Sequence, residues 1–222
     1  MISSLRGAVG RIFDPVAGGL LRMGVTADAV TVAGAFGVVV AALVFFPLGL
    51  LWVGALVIGV LAFSDALDGT MARKAGTSGP WGAFLDSTLD RVADGAIFIG
   101  LGGYFLVQTE GAVRTWGAIV AAACLVSGFT VSYARARAEG LGFSASVGIA
   151  ERGERLVAAL LTAGIVGFGL PPGVLVVVLG LLAVASVITV LQRMSTVRRQ
   201  ALARAAAMAA EAPTPGRQDL DG

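Results

Sequence analysis

Six apolar runs divide this chain, at about residues 29–47, 50–73, 81–107, 113–138, 151–170 and 173–194. A helix needs ~20 residues to cross the hydrocarbon of a bilayer, and these runs have that reach. The residue-by-residue alternation of a barrel strand is absent. The expected fold is therefore an all-α integral membrane protein with six transmembrane helices. Composition agrees: 57% of residues are hydrophobic and 14% charged, whereas a soluble domain carries roughly a quarter charged residues. Pro47, Pro80, Pro171 and Pro172 mark links between runs, as proline does. Glycine suits close helix approach in lipid, and Gly95, Gly100, Gly102 and Gly103 of the third run permit pairing of two copies.

The basic residues set the orientation. Arg6, Arg11 and Arg22 precede the first run, and Arg73 and Lys74 separate the second from the third. Arg135, Arg137, Arg152 and Arg155 flank the link between the fourth and fifth, and Arg193 onward follows the sixth. The opposite links, 46–49, 108–116 and 169–173, are nearly uncharged. By the positive-inside rule both termini and the acidic stretch Asp65–Asp90 face the cytoplasm of a cell (inner or plasma) membrane. The arginines track this topology too closely to point to nucleic acid. Residues 1–22 place Ile2, Leu5, Val9, Ile12, Phe13 and Val16 at spacings of three and four with arginines between, the pattern of an amphipathic helix lying on the interface. The domain organisation is thus a juxtamembrane helix over 1–22, a six-helix membrane domain over 23–205 and a disordered tail over 206–222. The single cysteine, Cys124, lies in an apolar run and reads as a packed side chain. There is no histidine, so acid–base chemistry must fall to carboxylates.

Four carboxylates, Asp65, Asp68, Asp86 and Asp90, stand close together in this otherwise apolar chain. Each costs several kcal/mol near lipid unless paired, hydrated or metal-bound. At about 100° per residue, Asp65, Asp68, Gly69 and Ala72 share one side of the second helix, and Gly82, Asp86 and Asp90 form a stripe on the third. A short loop makes these helices antiparallel neighbours, with both acidic pairs at one depth. Oxygen ligands without His or Cys suit a hard cation such as Mg²⁺ or Mn²⁺, and two ions could clamp both oxygens of a phosphoryl transfer. Arg73 is placed to hold a phosphate. Ion pairing with Arg73, Lys74 and Arg91 alone is the weaker reading, because four acids exceed what those cations need. Asp94 continues the stripe one turn deeper and reads as structural, paired with a polar group of another helix.

At these residues the chain resembles the CDP-alcohol phosphotransferases, whose signature D-x-x-D-G-x-x-A-R, eight residues, G-x-x-x-D-x-x-x-D is filled by Asp65, Asp68, Gly69, Ala72, Arg73, Gly82, Asp86 and Asp90. The resemblance implies phospholipid biosynthesis: transfer of the phosphatidyl group of CDP-diacylglycerol to an alcohol, with release of CMP. It also implies two Mg²⁺ ions (Mn²⁺ being possible), bridged by Asp65 and Asp86, with Asp68 completing one site and Asp90 the other. Asp90 is in addition the implied general base. Gly69 and Arg73 are implied to contact the nucleotide, and Asp28 and Thr31 match an Asn-x-x-Thr cytidine contact in which Asp28 replaces the commoner Asn. A homodimer is expected on the same ground.

The acceptor has to be read from elsewhere. Ser132 to Glu139 closes the fourth run, Glu151 to Arg155 opens the fifth, and Arg193 ends the sixth. Guanidiniums converging there suit a dianionic phosphate. The Ser-Tyr-x-x-Ala-x-Ala-Glu and Glu-Arg-x-Glu-Arg runs resemble the actinobacterial phosphatidylinositol phosphate synthases. The expected acceptor is accordingly myo-inositol 1-phosphate, a phosphorylated polyol, with Ser132, Arg152, Arg155 and Arg193 as its phosphate ligands. Glycerol 3-phosphate is the nearest alternative, and an ion or proton transporter using the aspartates as a relay is a remote one.

Overall fold

A computed structural model describes residues 14–62, 64–149 and 151–211, with residues 64–66 and 211 described by backbone alone. Among the described residues all regular structure is helical. A short helix α1 covers residues 14–22. It is followed by α2 (Ala27–Phe45), α3 (Leu51–Leu61), α4 (Ser64–Ala75), α5 (Pro80–Gln108), α6 (Gly111–Gly140), α7 (Arg152–Gly167) and α8 (Pro172–Glu211). The first part of the expected interfacial helix, residues 1–13, lies outside the described residues. Packing closes into a circuit, α2 on α5, α5 on α6, α6 on α8, α8 on α7, α7 on α3 and α3 on α2.

Two expectations need correction. The second apolar run is not one helix over 50–73: α3 ends at Leu61 and a separate α4 starts at Ser64. No proline or glycine marks this break. An all-apolar segment gives way to Ser64-Asp65, residue types that favour helix starts because their side chains compete for backbone N–H groups. The tail expected to be disordered from 206 is helical as far as Glu211, since the alanine-rich sequence there has high helix propensity; residues 212–222 lie outside the described residues.

Among the described residues three helices are long and apolar enough to cross a membrane, Ala27–Phe45, Gly111–Gly140 and Pro172–Ala210. Helix α5 has the length, but Asp86, Asp90, Arg91 and Asp94 crowd its first half. Helices α3 and α7, of 11 and 16 residues, fall short of the ~20 a perpendicular crossing needs. Large apolar side chains nevertheless stand exposed on every helix of the circuit: Phe36, Leu56, Ile99, Val126, Leu161 and Leu181. A water-facing surface does not carry apolar area all round; this is a membrane protein whose outer face meets lipid.

The interior is held by Phe46, Leu51, Ile58, Ile97, Phe98, Leu101, Phe105, Cys124, Leu175 and Leu179, all nearly inaccessible. The Cys124 thiol donates to the carbonyl of Leu179 at 3.1 Å. The third-run glycines face this chain's own helices rather than an open surface. A Cβ on Gly100 would lie 2.2 Å from the Ala42 carbonyl oxygen, one on Gly103 2.9 Å from Pro47, and those on Gly95 and Gly102 against Phe129 and Ala121 of α6.

Sequence punctuation sets the turn between the two acidic helices. Gly76 adopts φ +67°, Thr77 N–H donates to Ala72 O at 3.0 Å and Gly76 N–H to Arg73 O at 3.3 Å. These are the two bonds of a Schellman stop. Gly79 then caps α5 with Pro80 in its first turn. At the other functional end, Glu151 N–H donates to the Glu154 carboxylate at 3.2 Å, a capping box that starts α7 where the acidic-basic run predicts. The loop between α6 and α7 is strapped to α8. Ser144 exchanges two hydrogen bonds with the Gln200 amide, at 2.9 and 2.6 Å, and Arg193 donates to Val147 O at 2.9 Å.

Candidate active site

The acidic helices make little direct contact with each other; α4 and α5 each pack on α2. Direct antiparallel packing was the expectation, and the intervening α2 instead supplies a polar link. Thr31 Oγ1 donates to Asp68 Oδ2 at 2.6 Å, tying α4 to α2, and Asp68 is only 8% exposed. Asp65 sits one turn before Asp68 on α4, its side chain outside the described residues. On α5, Asp86 is exposed. Asp90 meets Arg152 Nη2 at 2.8 Å and Arg91 Nη2 at 3.7 Å.

Thr31, Asp86, Asp90, Asp94 and Arg152 border a cavity of about 320 Å³ enclosed by α2, α3, α5 and α7. Its remaining wall is apolar, and includes Val38, Ile58, Ile97 and Leu160. Each of these lies one to two turns further along its helix from the polar groups or the α3–α4 break. The cavity therefore runs from a charged end into the greasy interior, a shape suited to a charged head group on a lipid tail.

Of the residues expected at the nucleotide, Thr31 lines this cavity, whereas Asp28, Gly69 and Arg73 are not among its lining. Asp28, exposed in the first turn of α2, accepts from Trp81 Nε1 at 2.9 Å. Gly69 leaves its face of α4 open, since a Cβ there would meet only the Arg73 guanidinium at 3.5 Å. Arg73 is exposed and donates to Thr70 at 3.0 Å. Lys74 pairs instead with Asp14 of α1 at 3.2 Å.

A second, wider cavity of about 820 Å³ opens beside the first. Ser132, Arg152, Arg155 and Arg193, expected together from the sequence, all line it. Arg155 is 1% exposed, and its Nε and Nη1 have no hydrogen-bond partner among the described residues. Gly128 makes room for it: a Cβ there would lie 3.1 Å from the guanidinium. Arg193 Nη1 donates to Val131 O at 2.5 Å, which fixes it against α6. Ser132 donates to Gly128 O at 3.2 Å and accepts from Arg91. Five arginines, at 91, 135, 152, 155 and 193, line this cavity against two glutamates, Glu139 and Glu151. The balance of three positive charges along this lining favours an anion.

Arg152 is more than a phosphate ligand in waiting. Its Nε lies 3.0 and 3.1 Å from the two oxygens of Asp94, so Asp94 has the cross-helix partner expected of it. Arg91 was read from sequence only as a counter-ion; its reach to Ser132 joins residues 41 apart, and no local pattern signals that.

The donor set fits a hard divalent cation. Asp68, Asp86 and Asp90 offer oxygen only, and the chain has no histidine. Among the described residues no three acidic side chains form a closed metal-binding group; Asp65, the fourth carboxylate of the stretch, is not among the described side chains.

Comparison with known proteins gives a consistent picture. The family model for CDP-alcohol phosphatidyltransferase matches residues 24–191. The phosphatidylinositol phosphate synthase of Streptomyces avermitilis is 46% identical over 212 residues, spanning 93% of this chain and 86% of its own. That of Cutibacterium acnes is 45% identical over 206 residues, spanning 90% and 98%. Among solved structures, Mycobacterium tuberculosis phosphatidylinositol phosphate synthase with CDP-DAG bound superimposes with a TM-score of 0.79 at 44% identity, over 84% of this chain and 94% of that one. The same enzyme in complex with manganese and citrate gives 0.78 at 43% identity, over 83% and 88%.

Proposed function

The chain belongs to the CDP-alcohol phosphatidyltransferase family, and on that premise we propose that it transfers the phosphatidyl group of CDP-diacylglycerol to myo-inositol 1-phosphate. The products are phosphatidylinositol phosphate and CMP. The observation that carries the choice of acceptor is the wider cavity, where Ser132, Arg152, Arg155 and Arg193 meet beside the acidic site. Relatives at 43–46% identity bear that activity in their names.

In this reading Asp65, Asp68, Asp86 and Asp90 hold two Mg²⁺ ions, with Mn²⁺ able to replace them. When bound, the ions neutralise the diphosphate and stabilise the departing CMP oxygen. Thr31 fixes Asp68 for that task. Asp28, Gly69 and Arg73 receive the cytidine and its phosphates, while the apolar length of the smaller cavity takes the start of the lipid. The arginines orient the acceptor phosphate. Asp90 takes the proton of the attacking hydroxyl as its oxygen bonds to the β-phosphorus and the bond from that phosphorus to the bridging oxygen of CMP breaks. Positioning and electrostatics carry most of the rate.

The same reading has all six helices of the circuit crossing the plasma membrane, α3 and α4 together forming one crossing. Both termini and the site face the cytoplasm, and the chain works as a homodimer. The α3–α4 break is the one feature a transporter reading could use, since broken helices line transporter sites; family membership supports transfer chemistry instead.

The test is a competition assay on purified chain with CDP-diacylglycerol, Mg²⁺ and isotopically labelled acceptors. Inositol 1-phosphate should be converted to lipid at least tenfold faster than glycerol 3-phosphate or free inositol, and chelator should stop both lipid formation and CMP release. Labelled lipid from glycerol 3-phosphate but not from inositol phosphate would overturn the acceptor.

A further inference from the structure

We propose that Asp94 is a positioning residue: by holding the Arg152 guanidinium it limits that cation's hold on Asp90 and keeps it in the wall between the two cavities. The inference rests on the reading of Asp90 as a metal-binding and proton-accepting carboxylate.

The geometry is that of one cation shared by two anions. Asp90 and Asp94 stand four residues apart on α5, and so on one face. Arg152 approaches from α7. Its Nη2 lies 2.8 Å from Asp90 Oδ1 and 3.0 Å from Asp94 Oδ1, while its Nε engages both Asp94 oxygens. Most of the fork is thus spent on Asp94. Asp94 is also 3.8 Å from Arg155, and it is only 4% exposed. A charge so buried costs several kcal/mol unless it is paired. It stands roughly 6 Å deeper along the helix than Asp90, on the far side from Asp86, so it is placed to act through the arginines.

Removing the charge at Asp94 would change what Arg152 does. With the charge at Asp94 gone, the guanidinium would turn more of its fork to Asp90, a bidentate pairing that is the strongest an arginine makes with a carboxylate. Asp90 would then be less available to a divalent cation. Arg152 would also leave the position from which it borders the wider cavity.

Mn²⁺ binding, followed by electron paramagnetic resonance on full-length chain in nanodiscs, reads this directly. Asp94→Asn should weaken Mn²⁺ binding about five- to tenfold, the size of coupling seen between groups in one ion-pair network. The KM for inositol phosphate should rise while the KM for CDP-diacylglycerol stays near wild type, and Asp94→Glu should restore much of both. Arg152→Gln should bind Mn²⁺ at least as tightly as wild type, and adding Asp94→Asn to it should change Mn²⁺ binding no further. A purely structural Asp94 predicts a lower melting temperature with unchanged Mn²⁺ affinity in the folded fraction; that result overturns the inference, as does an Asp94→Asn loss undiminished in the Arg152→Gln background. If Asp94→Asn does not fold, Arg152→Gln alone decides: tighter Mn²⁺ binding supports the shared-cation arrangement and weaker binding overturns it. Wild-type Mn²⁺ binding that survives Asp86→Asn overturns the metal-site reading and this inference with it, whereas the other adverse outcomes overturn this inference alone.

Discussion

Asp90→Asn should cut CMP release by about a thousandfold and leave the chain folded, because it removes a metal-binding charge and the proton acceptor together. The substitution keeps size and a carbonyl oxygen for Arg152, and leaves the pairing of Arg152 with Asp94 untouched. Structural damage should therefore be small. The check is single-turnover formation of CMP from CDP-diacylglycerol with saturating inositol phosphate, beside a melting curve in the same detergent. A variant that melts normally and retains more than a tenth of the wild-type rate would exclude Asp90 as the base.

Gly100→Ala should produce a large loss of stability from a single methyl group. The added Cβ would sit 2.2 Å from the carbonyl oxygen and 2.8 Å from the carbonyl carbon of Ala42. Both are backbone atoms, so no side chain can rotate out of the way and α2 must move off α5. Overpacking of this kind costs about 2–3 kcal/mol, which corresponds to roughly 5–10 °C in melting temperature for a chain of this size. Gly102→Ala is the control. Its Cβ would meet only Ala121 Cβ at 3.7 Å, an ordinary contact, and alanine is the better helix former. Tryptophan fluorescence during heating in detergent separates the two. Equal melting temperatures would show that α2 and α5 do not approach as closely as Gly100 and Ala42 require.

Much of the fold could be read from hydropathy, since six apolar runs correspond to the six helices of the packed circuit. The end of α3 at Leu61 could not, because Leu61 and Ala62 are good helix formers and no proline or glycine stands beside them. Nor could the direction of the third-run glycines: Gly100 looks like a surface for a second copy until α2 is seen to occupy it. Spacing within one helix brought Asp86, Asp90 and Asp94 onto a single stripe. The partners of that stripe lie 58 residues away in Arg152, and the bond from Arg91 to Ser132 crosses 41. Such pairs depend on which helices become neighbours, which local periodicity does not encode. The gathering of Ser132, Arg152, Arg155 and Arg193 was anticipated from guanidiniums converging beside the acidic stretch and from the family resemblance of the two runs that carry them. The burial of Arg155 and Arg193 required the packed structure.

Arg152 and Gly153 border both cavities, so in the function proposed above the partition between lipid donor and water-soluble acceptor is little more than one side chain thick. A partition that thin needs no shuttle. Both substrates can occupy the protein at once, and the phosphatidyl group can pass straight across without being parked on the chain. The kinetic pattern should then be that of a ternary complex, with intersecting double-reciprocal lines and no burst of CMP before the acceptor arrives. The wide, open acceptor side also admits water to the same phosphorus. Starved of acceptor, the protein should leak slowly toward phosphatidic acid, and a filled arginine pocket becomes the means by which a membrane enzyme keeps its activated lipid from being wasted.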